Sequence, residues 1–98
     1  MATATFTANM TSNGAAVVGQ PIQFLTAPHG QPLVPLGEPV NTDNNGNASA
    51  QLPNQTPGSE IDYAASFAGS AGYKAFTTPT ETGTIVANVT ITVTVATG

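Results

Sequence analysis

Apolar and polar side chains alternate along this chain with a period of two, the spacing of a half-buried strand, and a 3.6-residue period is almost absent. From Ala4 the even positions Phe6, Ala8 and Met10 are apolar, with Thr3, Thr5, Thr7 and Asn9 between them. Asn13-Gly14 marks a turn, because both residues tolerate positive φ, and a short apolar run follows to Val18. Residues 21–26 read as a strand with Ile22 and Phe24 on one face. Prolines at 28, 32, 35 and 39 exclude a central strand over 27–39 and leave loop or edge. Residues 40–43 are extended, Asn44-Asn45-Gly46-Asn47 reads as a hairpin turn, and residues 48–52 return.

Residues 53–59 form a loop around Pro57-Gly58. Beyond it Ile61, Tyr63, Ala65 and Phe67 face one way, and Glu60, Asp62, Ala64, Ser66 and Ala68 the other. Residues 69–72 turn the chain and 73–77 pair again. Residues 83–96 read as one last strand, with Ile85, Ala87, Val89, Ile91, Val93 and Val95 in phase and Thr84, Thr90, Thr92 and Thr94 between them. β-Branched side chains of this kind suit a pleated surface.

About seven short strands, with turn signals every 8–12 residues or so, predict a single all-β domain over 1–98, an antiparallel β-sandwich, with a small closed barrel as the second choice. The expected core is Phe6, Ile22, Phe24, Leu52, Ile61, Tyr63, Phe67 and the odd positions 85–95. Leu, Ile, Val and Phe number only 20 in 98 residues, so the core is thin, and partners along the strand edges are expected to add to its stability.

Charge narrows the function. One Lys, no Arg and a net charge of −4 exclude a surface for nucleic acid, which needs clustered cations. No Cys means no disulfide, thiolate metal site or cysteine nucleophile. The most apolar stretch, 85–96, is too short and too alternating to insert in a membrane as a helix. There is no basic, apolar leader, and a Met at position 1 fits a complete gene product. Thr, Ala, Gly, Pro and Asn exceed half the chain, and charged residues are 6%. Such a neutral surface, with Lys74 alone to attract a trypsin-like protease, is the habit of proteins outside cells or on particles.

Four segments in order carry a resemblance: Gly19-Gln20-Pro21-Ile22-Gln23-Phe24, then Val40-Asn41-Thr42-Asp43-Asn44-Asn45-Gly46-Asn47-Ala48, then Pro57-Gly58, then Tyr63-Ala64-Ala65-Ser66-Phe67-Ala68-Gly69-Ser70. Over residues 19–76 and the last strand, the chain resembles the bacterial immunoglobulin-like (Big/invasin-type) domains of surface adhesins and phage structural proteins. The proline-rich stretch 28–39 is longer than such repeats usually carry, and no second repeat adjoins. The resemblance implies an immunoglobulin-like antiparallel β-sandwich that spaces or displays and does not catalyse.

Asp43, Asn45 and Asn47 alternate like the oxygen donors of a calcium loop. Gly46 is the fourth residue of that run instead of the sixth, and the twelfth is Asn54 instead of an acid, so a turn capped by Asx side chains is the better reading and no cofactor is expected. Glu60 and Asp62 share a strand face as paired carboxylates of a glycosidase do, but the sequence places only Ala64 and Ala68 beside them as apolar company. A solvated outer face fits better. His29 is the only His and reads as a plain loop residue. Gly69-Ser70-Ala71-Gly72 lacks the helix a phosphate loop needs. The sequons at Asn9, Asn47, Asn54 and Asn88 are expected by chance in so Asn- and Thr-rich a chain.

The expected function is a non-enzymatic module on a bacteriophage virion surface: a decoration, cement or fibre subunit. The alternative is a spacer repeat of a bacterial cell-surface adhesin, and a lesser one a carbohydrate-binding module using Tyr73 and Phe76 against a host glycan. Docking is assigned to the edge of strand 3–10, through Thr3, Thr5 and Thr7, or of strand 83–96, with the loop residues Pro28, His29, Pro32 and Pro35 adding shape. Partners are other structural subunits, either further copies of the chain or capsid or tail proteins.

Overall fold

The computed structural model describes residues 2–69, 72–85 and 89–97. The fold is an all-β sandwich of immunoglobulin-like kind, two sheets closing on one core. In chain order the strands are β1 (Ala2–Ser12), β2 (Ala15–Ala16), β3 (Pro21–Pro28), β4 (Val34–Pro35), β5 (Val40–Asn41), β6 (Asn47–Gln55), β7 (Glu60–Phe67), β8 (Phe76–Thr77), β9 (Glu81–Thr84) and β10 (Val89–Thr97). Five of them are eight residues or longer. The short ones stand where prolines and glycines interrupt the alternation.

The first sheet is built around β1. Strand β10 runs parallel to it from the pair Ala4 and Val89 to the pair Ser12 and Thr97. On the other side β6 runs antiparallel over residues 2–9 of β1, and β2 takes the last two positions. The expectation of an antiparallel sandwich therefore needs one correction, since the first and last strands are parallel. A second correction concerns β1 itself. It is the middle strand, both of its edges are occupied, and it offers no backbone for a docking partner. The second sheet centres on the antiparallel pair β3 and β7. Strands β4 and β5 extend it beyond β3, and β8 and β9 beyond β7.

The run 83–96 is not one strand. Strand β9 belongs to the second sheet and β10 to the first, and between them Ile85 exchanges backbone hydrogen bonds with Gly58 and Ser59 at the sandwich edge. The turn at 44–47 is likewise not a hairpin within one sheet. Strand β5 pairs with β3 and β6 with β1, so the turn carries the chain across the sandwich. The loop expected at 53–59 begins later, because β6 continues to Gln55.

The core joins the inner faces. Phe6 lies at its centre, its ring 6.4 Å from that of Phe24 on β3 and 5.6 Å from that of Tyr63 on β7, both tilted. Small residues make room for it: Ala50 stands opposite Phe6 across the sheet, and Ala4 and Ala8 flank it along β1. Ile22, Phe24, Ile61, Phe67, Ile85, Ile91 and Val95 are buried as expected. Leu52, Tyr63 and Val93 are only half-buried, and Ala87 and the Val89 side chain lie outside the described residues. Sequence reading missed Met10 and Val17, both fully buried. No buried side-chain polar atom among the described residues lacks a hydrogen-bond partner; Thr78, for example, accepts the Ala65 amide at 2.9 Å.

Two turns show why their residues are there. Asn13 and Gly14 have φ of 52° and 84°, the pair of positive values that the tight β1–β2 turn demands. Gly46 has φ of 80°, and a Cβ on it would stand 2.7 Å from the Met10 carbonyl oxygen. Gly46→Ala should cost about 2–4 kcal/mol, left-handed strain plus a backbone clash. Gly58→Ala, equally positive in φ but open around its Cα, should cost only about 1–2 kcal/mol. Urea denaturation of both variants checks this, and equal losses would contradict the clash.

Candidate functional site

The outer face of the first sheet is an uncharged array. No residue of β1, β2, β6 or β10 is ionisable. The registers align Thr90, Thr5 and Gln51 in one row, Thr92, Thr7 and Ser49 in the next, and Thr94, Asn9 and Asn47 in a third. Within the rows Thr7 Oγ1 and Ser49 Oγ share a hydrogen bond of 3.1 Å, and Asn9 Nδ2 donates to Asn47 Oδ1 at 2.8 Å. Thr5 and Thr7 thus belong to the middle of a sheet face, half-buried by their neighbours, with Thr3 on the same strand. They are available to a partner laid on the face, not to one paired at an edge.

A second cluster forms where the proline-rich loop meets the second sheet. Pro28, His29, Pro32 and Pro35 are all exposed. Asp62 is not on a solvated face: it is 9% exposed, and its carboxylate accepts from His29 Nδ1 at 2.8 Å, from Thr82 Oγ1 at 2.6 Å and from the Gly30 amide at 3.1 Å. The His29 amide meets the Glu60 carbonyl at 3.2 Å. Glu60 is exposed as the solvated-face reading expects, but Asp62 is not, which corrects that reading for half of the pair. His29 is an exposed loop residue whose ring is nonetheless hydrogen-bonded to Asp62. The cause is contact between residues 33 apart in the chain, which strand periodicity does not reveal.

These donors stabilise the carboxylate, so Asp62 titrates at about 2 instead of 3.8, chiefly through the His29 hydrogen bond and then those of Thr82 and Gly30. The same contact raises His29 above its ordinary 6.5. In a Ser–His–acid relay the nucleophile and the acid sit on opposite ring nitrogens. Here Thr82 Oγ1 lies 3.5 Å from His29 Nδ1, the nitrogen that Asp62 already occupies. The cluster is built as a clasp joining the loop, β7 and β9.

The turn 43–47 carries the cation-binding candidates. Asp43 Oδ1 accepts from the amides of Asn45 at 2.8 Å and Asn47 at 3.0 Å, which lowers the Asp43 pKa. Asn47 Oδ1 is engaged by Asn9. Asp43 Oδ1 thus serves the turn itself and Asn47 Oδ1 ties the turn to β1, and among the described residues no group of three His, Cys, Asp or Glu comes together. Tyr73 and Phe76, the aromatics considered for sugar stacking, both pack partly on the core. Asn9 and Asn47 of the sequons are bonded to each other, Asn54 is exposed, and Asn88 lies outside the described residues, as do Ser70 and Ala71 of the glycine-rich segment.

Sequence reading also missed a groove of about 430 Å³ between the sheets. Ala27, Val34, Leu52 and Ile61 give it apolar walls, and Asn54, Thr56 and Glu60 a polar rim. Val34, 56% exposed, borders it. No family model, curated protein or solved structure matches the chain. The resemblance to bacterial immunoglobulin-like domains therefore rests on the four sequence segments alone. Among the described residues no helix is long and apolar enough to cross a membrane.

The clasp sets a pH dependence with a definite sign. The His29 contribution is complete below 6.5 and is lost as pH rises through its elevated folded value. The Asp62 contribution is complete above 3.8 and is lost as pH falls towards about 2. The melting temperature of the protein relative to His29→Gln should therefore be highest between these limits and converge on both sides. An NMR titration of His29 should give a midpoint above 6.5 that returns towards it in Asp62→Asn. A His29 midpoint unmoved by Asp62→Asn would remove the clasp.

Proposed function

We propose that this protein is a non-enzymatic structural module displayed on a bacteriophage virion surface, as a decoration, cement or fibre subunit. The observation that carries the reading is the parallel pairing of the first and last strands. Ala4 and Val89 lie at one pole of the sandwich, and Ser12 and Thr97 at the other. The chain enters β1 at the first pole and leaves β10 at the second, about 26 Å away at 3.3 Å per strand residue. The long axis of the molecule is 40 Å against 25 and 21 Å across. Such a module adds length when it is joined to others through its ends.

The uncharged face of the first sheet supports the same reading. Rows of Thr, Asn, Ser and Gln make a surface that is wetted without charge, suited to close packing against neighbouring subunits at any ionic strength. The exposed prolines of the loop add rigid shape, their φ fixed before any partner arrives.

The polar placement of the ends equally favours the second reading, a spacer repeat of a bacterial cell-surface adhesin, in which end-to-end modules hold a distal tip away from the envelope. Intact mass together with fractionation of the native source separates the two. Recovery of a 9.8 kDa chain with purified particles supports the virion reading. A much larger chain in the envelope fraction supports the adhesin spacer. Confinement to the cytosol contradicts both.

A further inference from the structure

The sheet edges of this molecule differ sharply in how they are protected. In the second sheet the outer strands β4, β5 and β8 are two residues long and β9 is four, with Pro35 and Glu81 among them. In the first sheet β6 carries Pro53, and its pairing with β1 shifts register between Ala2 and Ala4. Short strands, prolines, irregular pairing and charges are the usual devices that blunt an edge. Strand β10 has none of them: nine residues without Pro, Gly or charge. Among the described residues β1 alone pairs with it.

Thr92, Val93 and Thr94 border a groove of about 230 Å³ shared with Tyr63, Thr78, Pro79 and Glu81. The Glu81 carboxylate near this edge disfavours an acidic entrant. A neutral strand fits. The segment Thr90-Ile91-Thr92-Val93-Thr94 is moreover self-complementary when reversed about Thr92. Antiparallel pairing of two such segments places Thr90 opposite Thr94 and Ile91 opposite Val93. Every threonine then meets a threonine on the outer face, and every aliphatic side chain another aliphatic on the inner one, as a two-fold contact requires.

We propose that the edge of β10 is a self-association site, residues 90–94 pairing antiparallel with the same residues of a second copy about a two-fold axis at Thr92. The first sheet then runs continuously from β6, β1 and β10 of one copy into β10, β1 and β6 of the other. The acidic residues of the chain, Glu38, Asp43, Glu60, Asp62 and Glu81, all lie outside this sheet, so a net charge of −4 per chain places no like charges within the joined strands. The proposal rests on the reading of the protein as a module that docks through a strand edge, and it names the partner at that edge.

Sedimentation equilibrium of the full chain over a concentration series tests it. The expected result is a reversible dimer of twice the 9.8 kDa monomer. Thr92→Lys, which sets two ammonium groups opposite each other at the axis, should weaken the dimer by at least ~10-fold while far-UV circular dichroism and a cooperative melt persist. Asn41→Lys, exposed on β5 of the second sheet, should leave it unchanged. If Thr92→Lys fails to fold, Thr90→Lys combined with Thr94→Lys sets the same like-charge contact, because residue 90 of one copy faces residue 94 of the other. A monomer at every concentration overturns the proposal, as does a Thr92→Lys dimer of undiminished affinity or an equal loss in Asn41→Lys. Incorporation into particles by a chain that stays monomeric sinks this pairing and leaves the display reading standing. A β10-dependent dimer that never enters particles upholds the pairing and removes the display reading.

Discussion

The structure depends on β1 being held from both sides. Its inner positions Ala4, Phe6, Ala8 and Met10 are buried nearly completely, and its backbone is paired with β10 along one edge and with β6 and β2 along the other. Phe6 is the point where the two sheets meet, between Phe24 and Tyr63. With so few large apolar residues, the sandwich relies on the rings of Phe6, Phe24 and Tyr63 meeting between the sheets. The alanines of β1 and β6 let the sheets approach closely enough for that contact.

Two further features follow from where β1 sits. Because its last neighbour is parallel, the chain has to cross the sandwich before β10, which it does between β9 in the second sheet and β10 in the first. The ends of the chain consequently stand at opposite poles. A pull on them acts along β1 and β10 and loads their hydrogen bonds together in shear, whereas a pull from one pole would open those bonds one after another. The polar side of the molecule is organised separately. Asp62 gathers the proline-rich loop and β9 onto β7, on the sheet that carries all the strand charge, while the β1 sheet has none.

Much of the fold was legible because strand periodicity reports which face a residue takes. The alternation in β1 and β10 and the parity of Ile61, Tyr63, Ala65 and Phe67 all hold in the structure, and Asn13-Gly14 is the turn its dihedral freedom implies. Periodicity does not report neighbours. Thr3, Thr5 and Thr7 alternate the same way in an edge strand as in a middle one, so the central place of β1 was hidden. The switch of sheet between β9 and β10 was masked by an unbroken pattern, although Gly83 was a signal: a Cβ there would stand 3.3 Å from the Tyr63 ring and 3.4 Å from Ile91. At the candidate site, the exposure of the prolines was legible from their type, while the Asp62 clasp was not, because its partners His29 and Thr82 arrive from distant parts of the chain.

The shear pairing of β1 with β10 is the central claim, and single-molecule pulling tests it most directly. The protein is held first through its two ends, and then through residue 13 and the C-terminus, which share a pole. Pulled through its ends, it should rupture in a single event at high force; pulled from one pole, it should peel at distinctly lower force. Equal forces in the two geometries would contradict the account.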